Sequence, residues 1–156
     1  MTPEGVIIHF LVTSIIAGLA GGAAMQLVMF LITRADWAHQ NMIVAVGSLF
    51  TRRREHAFRT GVIAHVVSAI GFAVLYNLAV IHVGLAHLPA AFFVGAFLGT
   101  IHGVFVSLAL VWVVCERHPL EEFQGASFAI GLSHLAGHVA YGAAVGFVIG
   151  IAGLIH

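Results

Sequence analysis

Four histidines, His65, His102, His134 and His138, lie inside long apolar stretches that contain no Asp, Glu, Lys or Arg. A titratable group in such a stretch is costly to bury, so it marks a bundle interior, a cofactor or a water path. Imidazole without carboxylate is the ligand chemistry of transition metals and haem iron, not of calcium or magnesium. His134 and His138 are four residues apart and therefore share one helix face.

Two ligation patterns stay open. In the first, His102 and His138 are the axial pair of a b-type haem, with Gly99, Gly103, Gly137 and Gly142 beside them leaving room for the macrocycle. In the second, His65, His102, His134 and His138, with Tyr141, hold a transition metal ion (Cu, Zn or Fe), or two such ions. The bland alternative is interhelical glue: neutral imidazoles bonded to Ser68, Ser133, Thr100 or a backbone carbonyl. No CxxC, CxxCH or HExxH motif fixes a metal. The spans also lack a Ser-His-Asp set, a phosphate-binding glycine loop and paired carboxylates, so hydrolase and nucleotide chemistry have no support, and the chain reads as no enzyme on its own.

The elements that position these residues follow from composition. The 156 residues are 61% hydrophobic and 8% charged, which makes the chain an integral membrane protein read as a single transmembrane domain over residues 1–156. Apolar windows long enough to cross a hydrocarbon core run over about residues 5–33, 60–82, 87–115 and 127–155. The fold expected is all-α, a four-helix membrane bundle. The first stretch follows no basic n-region and is too long for a signal peptide, so it is retained as a helix.

Between the first and second spans, Trp37, Met42, Ile43, Val46, Leu49 and Phe50 follow a helical spacing. This predicts either an interfacial helix, with Asp36 as its cap, or a partly ordered loop. Pro119 stops the third helix. Glycines four apart (Gly142, Gly146 and Gly150; Gly95, Gly99 and Gly103; Gly18 and Gly22) read as close helix contacts, within the chain or between copies.

Five of six arginines (Arg34, Arg52, Arg53, Arg54 and Arg59) fall between the first two spans, and Arg117 falls between the last two. The positive-inside rule makes both connections cytoplasmic and puts both termini outside, in a prokaryotic inner membrane. The arginine run then faces anionic lipid and not nucleic acid. Partners are the bilayer and either other membrane subunits or further copies of the chain. Cys115 is alone, which excludes an intramolecular disulfide.

Counting helical rise from the cytoplasmic side, His65 lies at about 8 Å, His134 at about 10 Å, His138 at about 16 Å and His102 at about 20 Å. The four thus form two levels, His65 with His134 and His138 with His102. His9, His82, His87 and His156 form a separate outer group of helix-end histidines. His39, His56 and His118 read as solvated cytoplasmic residues. Gln26, Asn77, Tyr76, Met25 and Met29 read as packing residues, with the two methionines also available as soft ligands.

The stretches GLAGGAAMQLVMFL, NMIVAVGSLF, HVVSAIGFAVLY (His65 to Tyr76), GAFLGTIHGVF (Gly95 to Phe105) and GHVAYGAAVGFVIG (Gly137 to Gly150) resemble a family of small prokaryotic four-helix membrane proteins, and more distantly YagU-like inner-membrane proteins. The resemblance singles out His65, His102 and His138 and brings no activity with it. Three functions are expected in order. The first is a haem- or metal-binding electron-transfer or accessory subunit of a membrane redox complex, the second a cofactor-free scaffold or assembly subunit, the third an oligomeric proton or metal-ion conductor.

Overall fold

Large side chains point out along the long helices, and small or polar ones point in. Ile8, Leu27, Phe30, Phe93, Phe97 and Phe105 are exposed, whereas Ser14, Ala17, Ala73, Gly95, Gly99 and Ser133 are buried. Lipid solvates an outward Phe as well as a neighbouring helix does, so what helices gain by meeting is close backbone approach and polar pairing. The computed structural model, which describes residues 2–38, 41–125 and 127–153, shows how the chain exploits this.

Among the described residues six α-helices follow one another: α1 (Pro3–Arg34), α2 (Met42–Thr51), α3 (Ala57–His82), α4 (Ala90–Phe105), α5 (Val111–Glu116) and α6 (Phe128–Ala152). A π-helical segment, Val106–Leu110, joins α4 to α5, and a 3₁₀ turn covers Glu121–Phe123. No strand occurs among the described residues. The helices α1, α3, α4 with its extension to Leu108, and α6 are long and apolar enough to span a bilayer. The fold is therefore all-α with four long apolar helices, as expected.

Helix ends follow local chemistry. The Thr2 hydroxyl accepts from the Gly5 N–H at 3.3 Å, with Pro3 and Glu4 in the first turn of α1. Ser127 caps α6 by accepting from the Ile130 N–H at 3.2 Å. The cap expected from Asp36 falls instead to Asn41, whose side chain accepts from the Val44 N–H at 3.1 Å. Asp36 lies too early, at φ 62° in the turn that closes α1. The segment between the first two spans does form a helix, α2, and α5 ends at Glu116, three residues before Pro119.

Within the bundle α6 is central, packed along its length on α4 and on α1. The helix α1 packs in turn on α3, while α3 and α4 touch only sparsely. The α4–α6 seam is glycine on glycine: a Cβ at Gly95 would stand 2.2 Å from the Gly142 carbonyl oxygen, and one at Gly142 would meet Gly95 as closely. The glycine rows of α4 and α6 therefore join helices of one chain. Lying against α3, α2 is so close that a Cβ at Gly47 would overlap the Ala57 carbonyl.

One residue read as solvated is not. His118 is only 2% exposed and ties the connection after α5 to α2. The Leu120 N–H donates to its Nδ1 at 3.1 Å, so Nε2 carries the proton and donates to the Ala45 carbonyl at 3.0 Å, with Ser48 Oγ at 3.5 Å. Phe123 packs on the ring, and the exposed Arg54–Glu122 ion pair links the same connection to the turn between α2 and α3. Its polar neighbours in sequence concealed this burial, because the partners come from α2.

Candidate functional site

Three residues of α6 at helical spacing, His134, His138 and Tyr141, turn inward and are each more than nine-tenths buried. His138 Nδ1 lies 2.7 Å from the His134 carbonyl oxygen, one turn back. A carbonyl can only accept, so Nδ1 carries the hydrogen and, in the neutral ring, Nε2 carries the lone pair. This fixes the tautomer without any other helix.

Facing it from α4 is His102, with ring centroids 4.6 Å apart and planes at 72°. The neighbouring helix α3 contributes Tyr76, whose hydroxyl lies 3.3 Å from His102 Nδ1, and Phe72, whose ring centroid is 4.1 Å from that of His102. Tyr76 also packs edge-on against Tyr141 at 5.6 Å. The Tyr141 hydroxyl donates to the Ala69 carbonyl at 2.6 Å, bridging α6 and α3. Where α3 and α4 otherwise scarcely touch, the aromatic and imidazole rings fill the space.

The histidine pair singled out by depth, His102 and His138, is thus brought into direct contact. His65 instead reaches Gln26 of α1, with nitrogen to nitrogen at 3.2 Å, and its ring lies beside Gly22. His134 is buried, and its Nδ1 has no hydrogen-bond partner; it is the sole such buried side-chain atom among the described residues. Those residues contain no group of three or more His, Cys, Asp or Glu placed to hold a metal ion.

A haem does not fit this arrangement. Axial imidazoles on one iron stand about 6 Å apart centroid to centroid, given metal–nitrogen bonds of about 2 Å, and a macrocycle must lie between them. The rings here touch. The four glycines expected to make room are spent on helix contact: a Cβ at Gly99 would lie 2.4 Å from the His138 carbonyl, Gly103 abuts His138 and Leu135, Gly142 abuts Gly95, and Gly137 receives Met25 and Met29. A bare ion shared by two imidazoles at a tetrahedral angle needs centroids about 5 Å apart, close to the separation present.

Ser133 and Thr100 donate to carbonyls of their own helices, Ala129 at 2.7 Å and Ala96 at 2.9 Å, and not to histidine. Asn77 bonds Ser14 Oγ at 3.0 Å, on the α1 side of α3. In the outer group His9 approaches Thr13 at 3.5 Å, His82 and His87 are exposed, and His156 lies outside the described residues, as does His39. His56 is exposed.

Sequence reasoning missed the roles of Tyr76 and Gln26. The usable signal for Tyr76 was its place eleven residues after His65, on nearly the same face of α3. For Gln26 it was its polarity in a span with no charge. Two apolar grooves, of about 460 Å³ and 280 Å³, open on the flanks of the bundle, and neither is lined by His102 or His138.

Comparison of the chain with known protein families, with curated proteins and with solved structures finds no match in any of the three.

Proposed function

We propose that this chain is a prokaryotic inner-membrane subunit that holds one borderline transition metal ion on His102 and His138 and serves a membrane redox complex as an accessory or electron-transfer component. One observation carries the reading: each ring is held at Nδ1 by a hydrogen bond, to the His134 carbonyl or with the Tyr76 hydroxyl, while Nε2 has no hydrogen-bond partner among the described residues. That is the usual outer support of a metal-bound imidazole, with one nitrogen held and the other offered. Imidazole suits zinc, copper and iron alike, and solvent or a partner subunit completes the coordination. In the absence of a haem slot, the ion stands in place of the macrocycle.

A second reading has its own observation. Tyr141 to Ala69 and Gln26 to His65 are protein–protein bonds that need no ion, and they suit a cofactor-free scaffold whose polar core registers the helices. Cobalt titration of the detergent-purified protein separates the two. The metal reading expects visible ligand-field bands that saturate at one ion per chain, vanish in His102→Ala and His138→Ala, and weaken by about tenfold in Tyr76→Phe. Absent bands, or bands unchanged in the histidine variants, leave the scaffold.

A further inference from the structure

We infer that the α1–α6 seam carries a second, softer metal site, distinct from the His102–His138 pair: monovalent copper on the Met25 and Met29 thioethers and His134 Nδ1. Met25 and Met29 are one turn apart on α1, both buried, and both directed at Gly137 of α6. A Cβ at Gly137 would meet Met25 Cγ at 3.2 Å, Met29 Sδ at 3.5 Å and Met25 Cε at 3.6 Å, so the missing side chain is what lets the thioethers reach the α6 surface. His134 is three residues before Gly137 and hence one turn along the same helix, close to where the sulfurs arrive.

Packing alone explains two buried methionines. It does not explain His134, whose Nδ1 is sealed from solvent and bonded to nothing. A buried imidazole nitrogen without a partner is costly, and persists where something else satisfies it. The charge of that ligand is constrained by its surroundings. His134 Nδ1 is sealed, unlike the partly exposed His102 where an outside ligand can enter, and neither α1 between Gly5 and Thr33 nor α6 contains a carboxylate or a thiol, so a divalent ion at this seam would be buried with no anion to offset it. A monovalent soft cation escapes most of that cost, and thioether with imidazole is the ligand set that selects copper(I). The unbranched methionine side chain can re-aim its sulfur within a packed seam.

The test is anaerobic titration of the detergent-purified full chain with copper(I) in competition with a chromogenic chelator, followed by X-ray absorption at the copper edge. Wild-type protein is expected to take up copper(I) with sulfur and nitrogen neighbours. Met25→Leu/Met29→Leu, near-isosteric substitutions that the seam accommodates, is expected to weaken binding by tenfold or more. His102→Ala, which removes the other ion, is expected to leave copper(I) uptake intact. Copper(I) uptake that is absent, that is equal in the double methionine variant, or that shows no sulfur neighbour overturns the proposal. Loss of copper(I) in His102→Ala overturns the claim that there are two sites.

Discussion

His138 illustrates how much a single residue's hydrogen bond decides. Its Nδ1–H is committed to the carbonyl one turn back, so its chemistry faces His102. That contact was legible in the sequence, because depth along a helix is a linear count and both residues lie in charge-free spans. Less legible were the side chains that hold the histidines, Tyr76 at His102 and Gln26 at His65. The polar residues of α1 and α3 are few and irregularly spaced, and which helix Tyr76 and Gln26 meet depends on rotation about the helix axis, which a largely apolar surface encodes poorly. His118 failed for the converse reason: polar sequence neighbours disguised a buried side chain. A prediction belongs to this scale. Tyr141→Phe removes the α6-to-α3 bond at Ala69 and is expected to lower stability by about 1 kcal/mol, measured by denaturing-detergent titration in mixed micelles. An unchanged midpoint would mean that the bond contributes nothing.

At the scale of the element, the helices are sorted by side-chain size as well as by polarity. The four spans were readable from composition, since a window of about 20 uncharged apolar residues has few other fates, whereas the segment between the first two was open between a helix and a loop. The order of packing was not readable. The glycine rows announced close contact without saying with what, and the structure assigns those of α4 and α6 to each other. Two substitutions of the same kind then have opposite expected signs. Gly95→Ala drives a methyl into the Gly142 carbonyl and is expected to cost 1–3 kcal/mol or more, roughly the range for overpacking, as α4 and α6 are pushed apart. Gly71→Ala, on the exposed face of α3 with nothing within 4 Å of the added carbon, is expected to be neutral or to stabilise by up to about 1 kcal/mol. The same micelle titration reads both, and a Gly95→Ala protein as stable as wild type would contradict the seam described.

The whole molecule is a bundle whose interior is polar at the middle and narrow everywhere else, with two arginine-bearing connections at one end. The Arg54–Glu122 pair and the His118 bonds hold those connections together, so they share a side of the membrane. With the arginine bias this predicts that reporter enzymes fused after residue 156 are active only when the reporter works outside the cytoplasm, and that fusions within residues 117–124 show the opposite. The reverse pattern would invert the orientation while leaving the fold intact. Function at this scale rests on whether the paired imidazoles hold an ion. The direct measurement is elemental analysis of the detergent-purified protein, followed by X-ray absorption at the edge of the divalent ion found. Expected is a stoichiometric zinc, copper or iron with two imidazole neighbours at about 2 Å, absent from the His102→Phe/His138→Phe double variant. No stoichiometric ion, or an ion whose first shell contains no imidazole, would contradict it.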